Sequence, residues 1–134
     1  MSGGAPKPVY LLAGGPGSRV GRDPVLVRAI ERAGVKRPSV AYVGAASGDS
    51  KPFFAMIAAY LKICGAGDVV LAAMAGRRAD LGKTRALLEE SDMILVSGGD
   101  VEEGMAIVGE RGMLEPLRDL HRAGKPFLGI SAGS

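Results

Sequence analysis

The segment PFLGISAGS, residues 126–134, joins an apolar run to a serine flanked by glycines. Residues 126–130 are apolar throughout, which is typical of a central strand of a parallel sheet that is covered on both faces. The spacing Gly129-x-Ser131-x-Gly133 is that of a nucleophile elbow, in which a sharp turn lifts a serine hydroxyl above the edge of the sheet. Because the chain has 21 glycines, the pattern is weak alone, and the strand before it carries the interpretation. Ser131 is therefore the candidate nucleophile.

The rest of the chain alternates short apolar runs with segments of helical period. This alternation is typical of an α/β fold in which crossover helices cover both faces of a parallel sheet. We therefore predict one doubly wound, flavodoxin-like domain over residues 1–134, with a mostly parallel sheet. The predicted strands are residues 9–13, 39–43, 69–72, 93–96 and 126–130.

Capping residues and apolar stripes predict the helices. Asp23 and Pro24 fit the cap and first turn of a helix that ends before Gly34, and a further helix covers residues 83–90. One or two helices occupy residues 101–123 and end at Gly124. The helix after the second strand is predicted to bury one apolar stripe, including an inert thiol, formed by Phe53, Met56, Ile57, Tyr60, Leu61 and Cys64.

A second glycine turn follows the fourth predicted strand. Gly98 and Gly99 come directly after that strand, so they can lie at the same edge of the sheet as Ser131. Backbone N–H groups placed there would stabilise the oxyanion of acyl transfer, with the N–H of Ala132 as the second donor. The alternative is that both glycine turns only permit tight connections from strand to helix. The residues alone leave these two interpretations open.

Three turns together resemble a known family. They are Ala45-Ala46-Ser47-Gly48-Asp49, Ser97-Gly98-Gly99-Asp100 and Gly129-Ile130-Ser131-Ala132-Gly133, and each follows a predicted strand. In order and spacing they resemble the aspartyl dipeptidase and cyanophycinase family of serine peptidases, which has the class I glutamine amidotransferase-like fold. The resemblance implies hydrolysis of a peptide or isopeptide bond, often next to an aspartyl residue, through an acyl-enzyme.

The resemblance also implies roles for individual residues. Ser131 would be the nucleophile, Gly99 and Ala132 would form the oxyanion hole, and Gly98 and Asp100 would line the substrate site. In many family members a polar amide follows Gly-Gly-Asp, whereas this chain has Val101, so the substrate is left open. The resemblance further implies a homodimer and a small peptide or isopeptide substrate, with no cofactor and no metal.

The catalytic base is the missing part. The family places its histidine and the acid that orients it beyond the elbow, so the chain is expected to be an incomplete hydrolytic domain, inactive alone, with a second fragment or further chain supplying the base. His121 is the one histidine. It falls on the helix before the nucleophile strand, where we expect a role at the surface or the helix end.

Composition and motif spacing argue against several other classes of function. A net charge of +3, 4% aromatic residues and the lack of a basic stripe argue against nucleic-acid binding. No apolar run approaches the length of a membrane span, so a cytoplasmic protein with no membrane partner is expected. The glycine spacing after the first strand argues against nucleotide binding, because Val20 stands where a dinucleotide-binding fingerprint needs glycine. A glutamine amidotransferase would need cysteine at the elbow. A non-catalytic binding or regulatory module with the same fold remains an alternative.

Overall fold

The computed structural model describes residues 9–12, 24–45, 48–76, 79–97 and 101–130, and these alternate strands with helices. The strands are β1 (Val9–Leu12), β2 (Val40–Val43), β3 (Val69–Leu71), β4 (Met93–Ser97) and β5 (Phe127–Ile130). The helices are α1 (Pro24–Glu31), α2 (Lys51–Ile63), α3 (Leu81–Glu90), α4 (Val101–Glu110) and α5 (Leu114–Arg122). Every predicted strand is present, and the ends that can be compared differ by one residue at most.

The five described strands form one sheet in which every neighbouring pair is parallel. Their order across the sheet is β1-β5-β4-β2-β3. β5 thus lies inside the sheet, between β1 and β4, as its apolar sequence predicts. Because all the strands run the same way, their carboxyl ends share one edge of the sheet, and their amino ends share the opposite edge.

Successive residues of the strands face opposite layers of helices. In β2, Val40 and Tyr42 pack in one core cluster with residues of α1 and α2. Ala41 and Val43 pack in a second cluster with residues of α3, α4 and the turn before α5. β5 shows the same alternation, because Leu128 belongs to the first cluster and Phe127 to the second. Helices therefore cover both faces, and the predicted doubly wound α/β class is confirmed.

One residue of the predicted core stripe on α2 was assigned wrongly. Ile57, Leu61 and Cys64 are buried, whereas Met56 is 44% exposed. Successive helical residues are about 100° apart around the axis, so Met56 is turned that far from Ile57, the centre of the buried strip. The strip of α2 that packs on the sheet is therefore narrower than the apolar stripe in the sequence.

Helix ends follow local rules of capping. Gly34 and Gly124 have φ angles of 78° and 96°, the left-handed conformation that glycine adopts without strain. The predicted stop at Gly124 is confirmed, whereas α1 ends at Glu31 and not at Ala33, because the amides of Ala33 and Gly34 bond three residues back in a turn. Ser50 caps α2 by accepting from the Phe53 amide, and Asp80 caps α3 by accepting from the Lys83 amide. In the part of the chain that the structure describes, no helix is long and apolar enough to cross a bilayer.

Candidate active site

Two neighbouring strands end at the same level of the carboxyl edge. β4 and β5 pair in parallel, and their last residues, Ser97 and Ile130, are partners in the register. Neighbouring strands lie about 4.8 Å apart, so the points at which the chain exits β4 and β5 are side by side. The residues that come next are the sequence-predicted site residues, all of which lie outside the described part of the chain: Gly98, Gly99 and Asp100 after β4, and Ser131 and Ala132 after β5.

The connection from β4 to α4 is only three residues long, because α4 begins at Val101. The residue at which the sequence departs from the family pattern is therefore the first residue of a helix. Helix N-termini carry unpaired N–H groups and a partial positive charge, which favour negative charge nearby. A short glycine turn that leads into a helix is compatible with an oxyanion site and also with a purely structural connection.

The strand beneath the predicted nucleophile is firmly held. Leu128 of β5 is fully buried and packs in the same cluster as Leu95 of β4. Phe127, at the start of β5, is 8% exposed and packs in the cluster on the other face. Burial of a leucine side chain is worth about 1.5–3 kcal/mol, so β5 is anchored from both faces as well as by two neighbouring strands. Such anchoring suits a strand whose end must hold a reactive group in place.

The turn after β2 also lies at this edge and carries unusual backbone geometry. Gly48 and Asp49 have φ angles of 67° and 58°. One oxygen of the Asp49 carboxylate, Oδ2, accepts hydrogen bonds from the amides of Met74 and Ala75, at 2.8 and 2.6 Å. The sequence motif around Asp49 pointed to a family but not to this contact, which joins residues 25 and 26 positions apart.

The model of peptidase family S51 matches residues 10–134. The chain belongs to peptidase family S51. This match confirms the resemblance to the aspartyl dipeptidase and cyanophycinase family that the three turns indicated. The matched region includes β5, the end of β4 and every predicted site residue.

Solved structures share the fold of this S51 chain. A peptidase from an acI-B1 Actinobacterium is 17% identical with a TM-score of 0.75, over 98% of this chain and 57% of that one. A candidate peptidase E from Listeria monocytogenes EGD-e is 18% identical with a TM-score of 0.69, over 96% and 60%. The S51 chain thus spans about three fifths of the length of these structures.

A shorter stretch of the chain is similar to a protein whose name is not that of a peptidase. Over 52 residues the S51 chain is 46% identical to the pyridoxal 5'-phosphate synthase subunit PdxT of Hyperthermus butylicus. The match covers 39% of this chain and 26% of that protein.

His121 of the S51 chain lies far from the carboxyl edge. Its ring packs edge-on against Phe127, with ring centroids 5.5 Å apart and planes at 90°. Phe127 is the first residue of β5, and a strand rises about 3.3 Å per residue, so the three residues to the end of the strand at Ile130 correspond to roughly 10 Å. An open groove of about 370 Å³ surrounds this ring pair, lined by Leu117, Arg118, His121, Arg122 and Phe127. The groove is therefore at the amino end of β5.

No group of three or more His, Cys, Asp or Glu side chains that could hold a metal ion occurs among the described residues. The one cysteine, Cys64, is buried at the end of α2 in the core cluster with Leu61 and Ala66, in agreement with its predicted packing role. Neither feature adds a cofactor site to the carboxyl edge.

Proposed function

We propose that this protein is a serine hydrolase that cleaves peptide or isopeptide bonds through an acyl-enzyme on Ser131. The observation that carries the proposal is the pairing of Ser97 with Ile130 at the ends of two adjacent parallel strands. Gly98 and Ser131 follow these residues directly in the sequence, which supports a glycine turn next to the nucleophile. Membership in peptidase family S51 supports the same chemistry.

The proposed reaction needs one hydroxyl, one base and two amide donors. The Ser131 oxygen attacks the carbonyl carbon of the substrate while a base takes the hydroxyl proton. The amides of Gly99 and Ala132 stabilise the negative charge that develops on the carbonyl oxygen, a role worth about 3 kcal/mol for each donor. The base then gives its proton to the leaving nitrogen as the C–N bond breaks, and water hydrolyses the ester in a second, similar step.

The base does not come from His121 in this proposal. That side chain packs on Phe127 at the opposite end of β5. We propose that a histidine and its orienting acid come from further chain or from a second fragment, and that the 134-residue chain is inactive alone. The structures that share the fold are longer than this chain, which is compatible with such a contribution.

The proposed substrates are small peptides or isopeptides, cleaved next to an aspartyl residue. The family resemblance is the support for this choice. Val101 replaces the polar amide that many family members have at this position, so the substrate contacts on that side of the site are expected to differ from theirs.

A second candidate is a non-catalytic binding module with the same fold. The three-residue connection between β4 and α4 is as compatible with this candidate as with an oxyanion site, because glycines there can serve a structural purpose without any chemistry. The loss of the polar amide at Val101 favours the binding module.

A fluorophosphonate probe, which reacts only with an activated serine, separates the two candidates. We expect the full-length protein to be labelled and the Ser131→Ala variant to remain unlabelled. Ser91, a buried serine before β4, provides the control, since Ser91→Ala leaves the proposed nucleophile in place. Under the proposal that the base comes from further chain or a second fragment, the 134-residue chain alone should react at least about a thousandfold more slowly. An unlabelled full-length protein would favour the binding module.

A further inference from the structure

The loop that follows β3 is held from two sides by side chains of other elements. Residues 73–75, which we call the pinned segment, have an irregular backbone at the carboxyl edge of the sheet. The Asp49 carboxylate accepts from two amides of the segment, those of Met74 and Ala75. On the other side, the Thr84 hydroxyl donates to the Ala73 carbonyl.

A third side chain completes this set of bonds. Nη2 of Arg111, in the turn between α4 and α5, donates to the Ala75 carbonyl at 3.3 Å. Ala75 is therefore held through both its N–H and its C=O group. A loop without regular secondary structure normally leaves such groups to water, so the pinned segment is fixed in place to an unusual degree.

Asp49 accepts these two hydrogen bonds at a cost in free energy. Its φ of 58° is in the left-handed region, which side chains generally disfavour, although aspartate tolerates it better than most residues. Its second oxygen, Oδ1, is buried and has no hydrogen-bond partner among the described residues. Buried acceptors without partners and left-handed backbone together destabilise a protein, and they concentrate at functional sites.

The sheet order fixes how far the pinned segment lies from the end of β5, after which the proposed nucleophile follows in the sequence. β2 is two strands away from β5 and β3 is three strands away. With a spacing of about 4.8 Å, these distances along the edge are roughly 10 and 14 Å. An extended peptide spans about 3.3–3.6 Å per residue. With its scissile bond at Ser131, a peptide with three residues on one side of that bond spans about 10–11 Å, and its third side chain covers the remaining distance of roughly 3–4 Å to the pinned segment.

We propose that Asp49 is a positioning residue that holds the pinned segment as a preformed wall for the distal part of a peptide substrate. This inference rests on the proposed function, because it takes Ser131 as the point from which the substrate extends. A dipeptide is too short to touch the wall, whereas a tetrapeptide contacts it. The wall adds affinity because the bonds from Asp49, Thr84 and Arg111 order it before the substrate arrives.

Peptide binding to the full-length protein tests the inference, and the Ser131→Ala background prevents cleavage. The probes are an aspartyl dipeptide and two tetrapeptides that extend it at the amino or the carboxyl end. Asp49→Gly keeps the left-handed backbone and removes the acceptor, and Asp49→Asn keeps one acceptor. We expect Asp49→Gly to raise the Kd of at least one tetrapeptide about three- to tenfold, with the dipeptide within twofold and Asp49→Asn in between.

A second aspartate provides the matched control. Oδ2 of Asp92 accepts from the Ser39 amide at 2.9 Å, in the same way as Asp49 but at the amino edge of the sheet. Asp92→Ala should therefore lower the melting temperature without changing the ratio of tetrapeptide to dipeptide affinity. Arg111→Met loosens the pinned segment through a different atom and should raise the same Kd, by a smaller factor.

Several outcomes would overturn the inference. An equal loss of dipeptide and tetrapeptide affinity would mean that Asp49 only stabilises the fold, and tighter tetrapeptide binding would mean that the segment obstructs the substrate. Undetectable binding of every peptide would also reject it. Failure of the proposed function is seen separately, as a lack of fluorophosphonate labelling at Ser131 in a protein that still shows the length-dependent binding.

Discussion

At the amino edge of the sheet the charged groups are paired with backbone across the loops, whereas at the carboxyl edge one buried carboxylate oxygen has no partner in the described structure. Asp92 joins the starts of β2 and β4 through both the amide and the hydroxyl of Ser39. Asp49 joins the ends of β2 and β3, but through one oxygen only and from a left-handed backbone. Two aspartates with similar bonds thus have different energetic surroundings.

A lysine strengthens the amino edge further. Nζ of Lys125, just before β5, donates to the carbonyls of Leu88, Glu89 and Ser91 at the end of α3. Helix C-termini have unpaired carbonyls and a partial negative charge, so an ammonium there is favourable. Burial lowers the pKa of Lys125, while the carboxylates of Asp92 and Glu89 raise it, and burial has the larger effect.

The difference between the two edges follows from their different roles in a parallel sheet. Ligands of open α/β sheets bind at the carboxyl ends of the strands, so the amino edge is free to serve stability alone. Substitutions at the amino edge should therefore change the free energy of unfolding. Substitutions at the carboxyl edge should change binding or reaction with less effect on stability.

The largest effect on stability is expected at a glycine of the amino edge. A Cβ at Gly67 would lie 2.4 Å from the carbonyl oxygen of Arg37, a backbone atom that cannot move aside alone. Gly67→Ala should therefore lower the free energy of unfolding by about 2–3 kcal/mol. At the carboxyl edge, an added Cβ at Gly76 would have no atom of the described residues within 4 Å, and Gly76→Ala should be neutral or slightly stabilising. Urea unfolding of the two variants measures the difference, and equal losses would contradict the comparison.

A smaller effect is expected from removing the ammonium of Lys125. Lys125→Met leaves three carbonyls at the end of α3 without their donor, and the group is partly exposed, so a loss of about 1–2 kcal/mol is expected. Lys83, an exposed residue in the first turn of the same helix, is the control, and Lys83→Met should change stability by less than about 0.5 kcal/mol. Thermal unfolding of both variants at neutral pH measures this difference. Similar melting temperatures for the two variants would show that the lysine cap is unimportant.

Local sequence patterns predicted the elements but not all of their contacts. The stop at Gly124 and the interior position of β5 were predicted because each depends on a few neighbouring residues or on one apolar run. The burial of Met56 was predicted wrongly, because an apolar residue at the flank of a helical stripe is not distinguished from one at its centre. Phe54, which was not predicted, packs on the ring of Tyr42 with centroids 5.6 Å apart.

The candidate site was predicted as a set of residues that can share one edge of the sheet, but the register of the strands before them was not predicted. Gly98, Gly99 and Ser131 were chosen because each follows an apolar strand. That β4 and β5 are neighbours in register depends on how the whole sheet packs, and no local pattern encodes it. The contacts of Asp49 depend on the packing of the sheet in the same way, since its partners are 25 and 26 residues away along the chain.

The proposed active site requires the glycine turn after β4 to supply an amide to the oxyanion formed at Ser131. A crystal structure of the full-length protein after reaction with a fluorophosphonate measures this directly, because the phosphonyl oxygen takes the place of the oxyanion. The proposal predicts that this oxygen lies about 2.7–3.1 Å from the amide nitrogens of Gly99 and Ala132. A Gly99 nitrogen more than about 10 Å from this oxygen, which is the width of two strand spacings, would contradict the proposal.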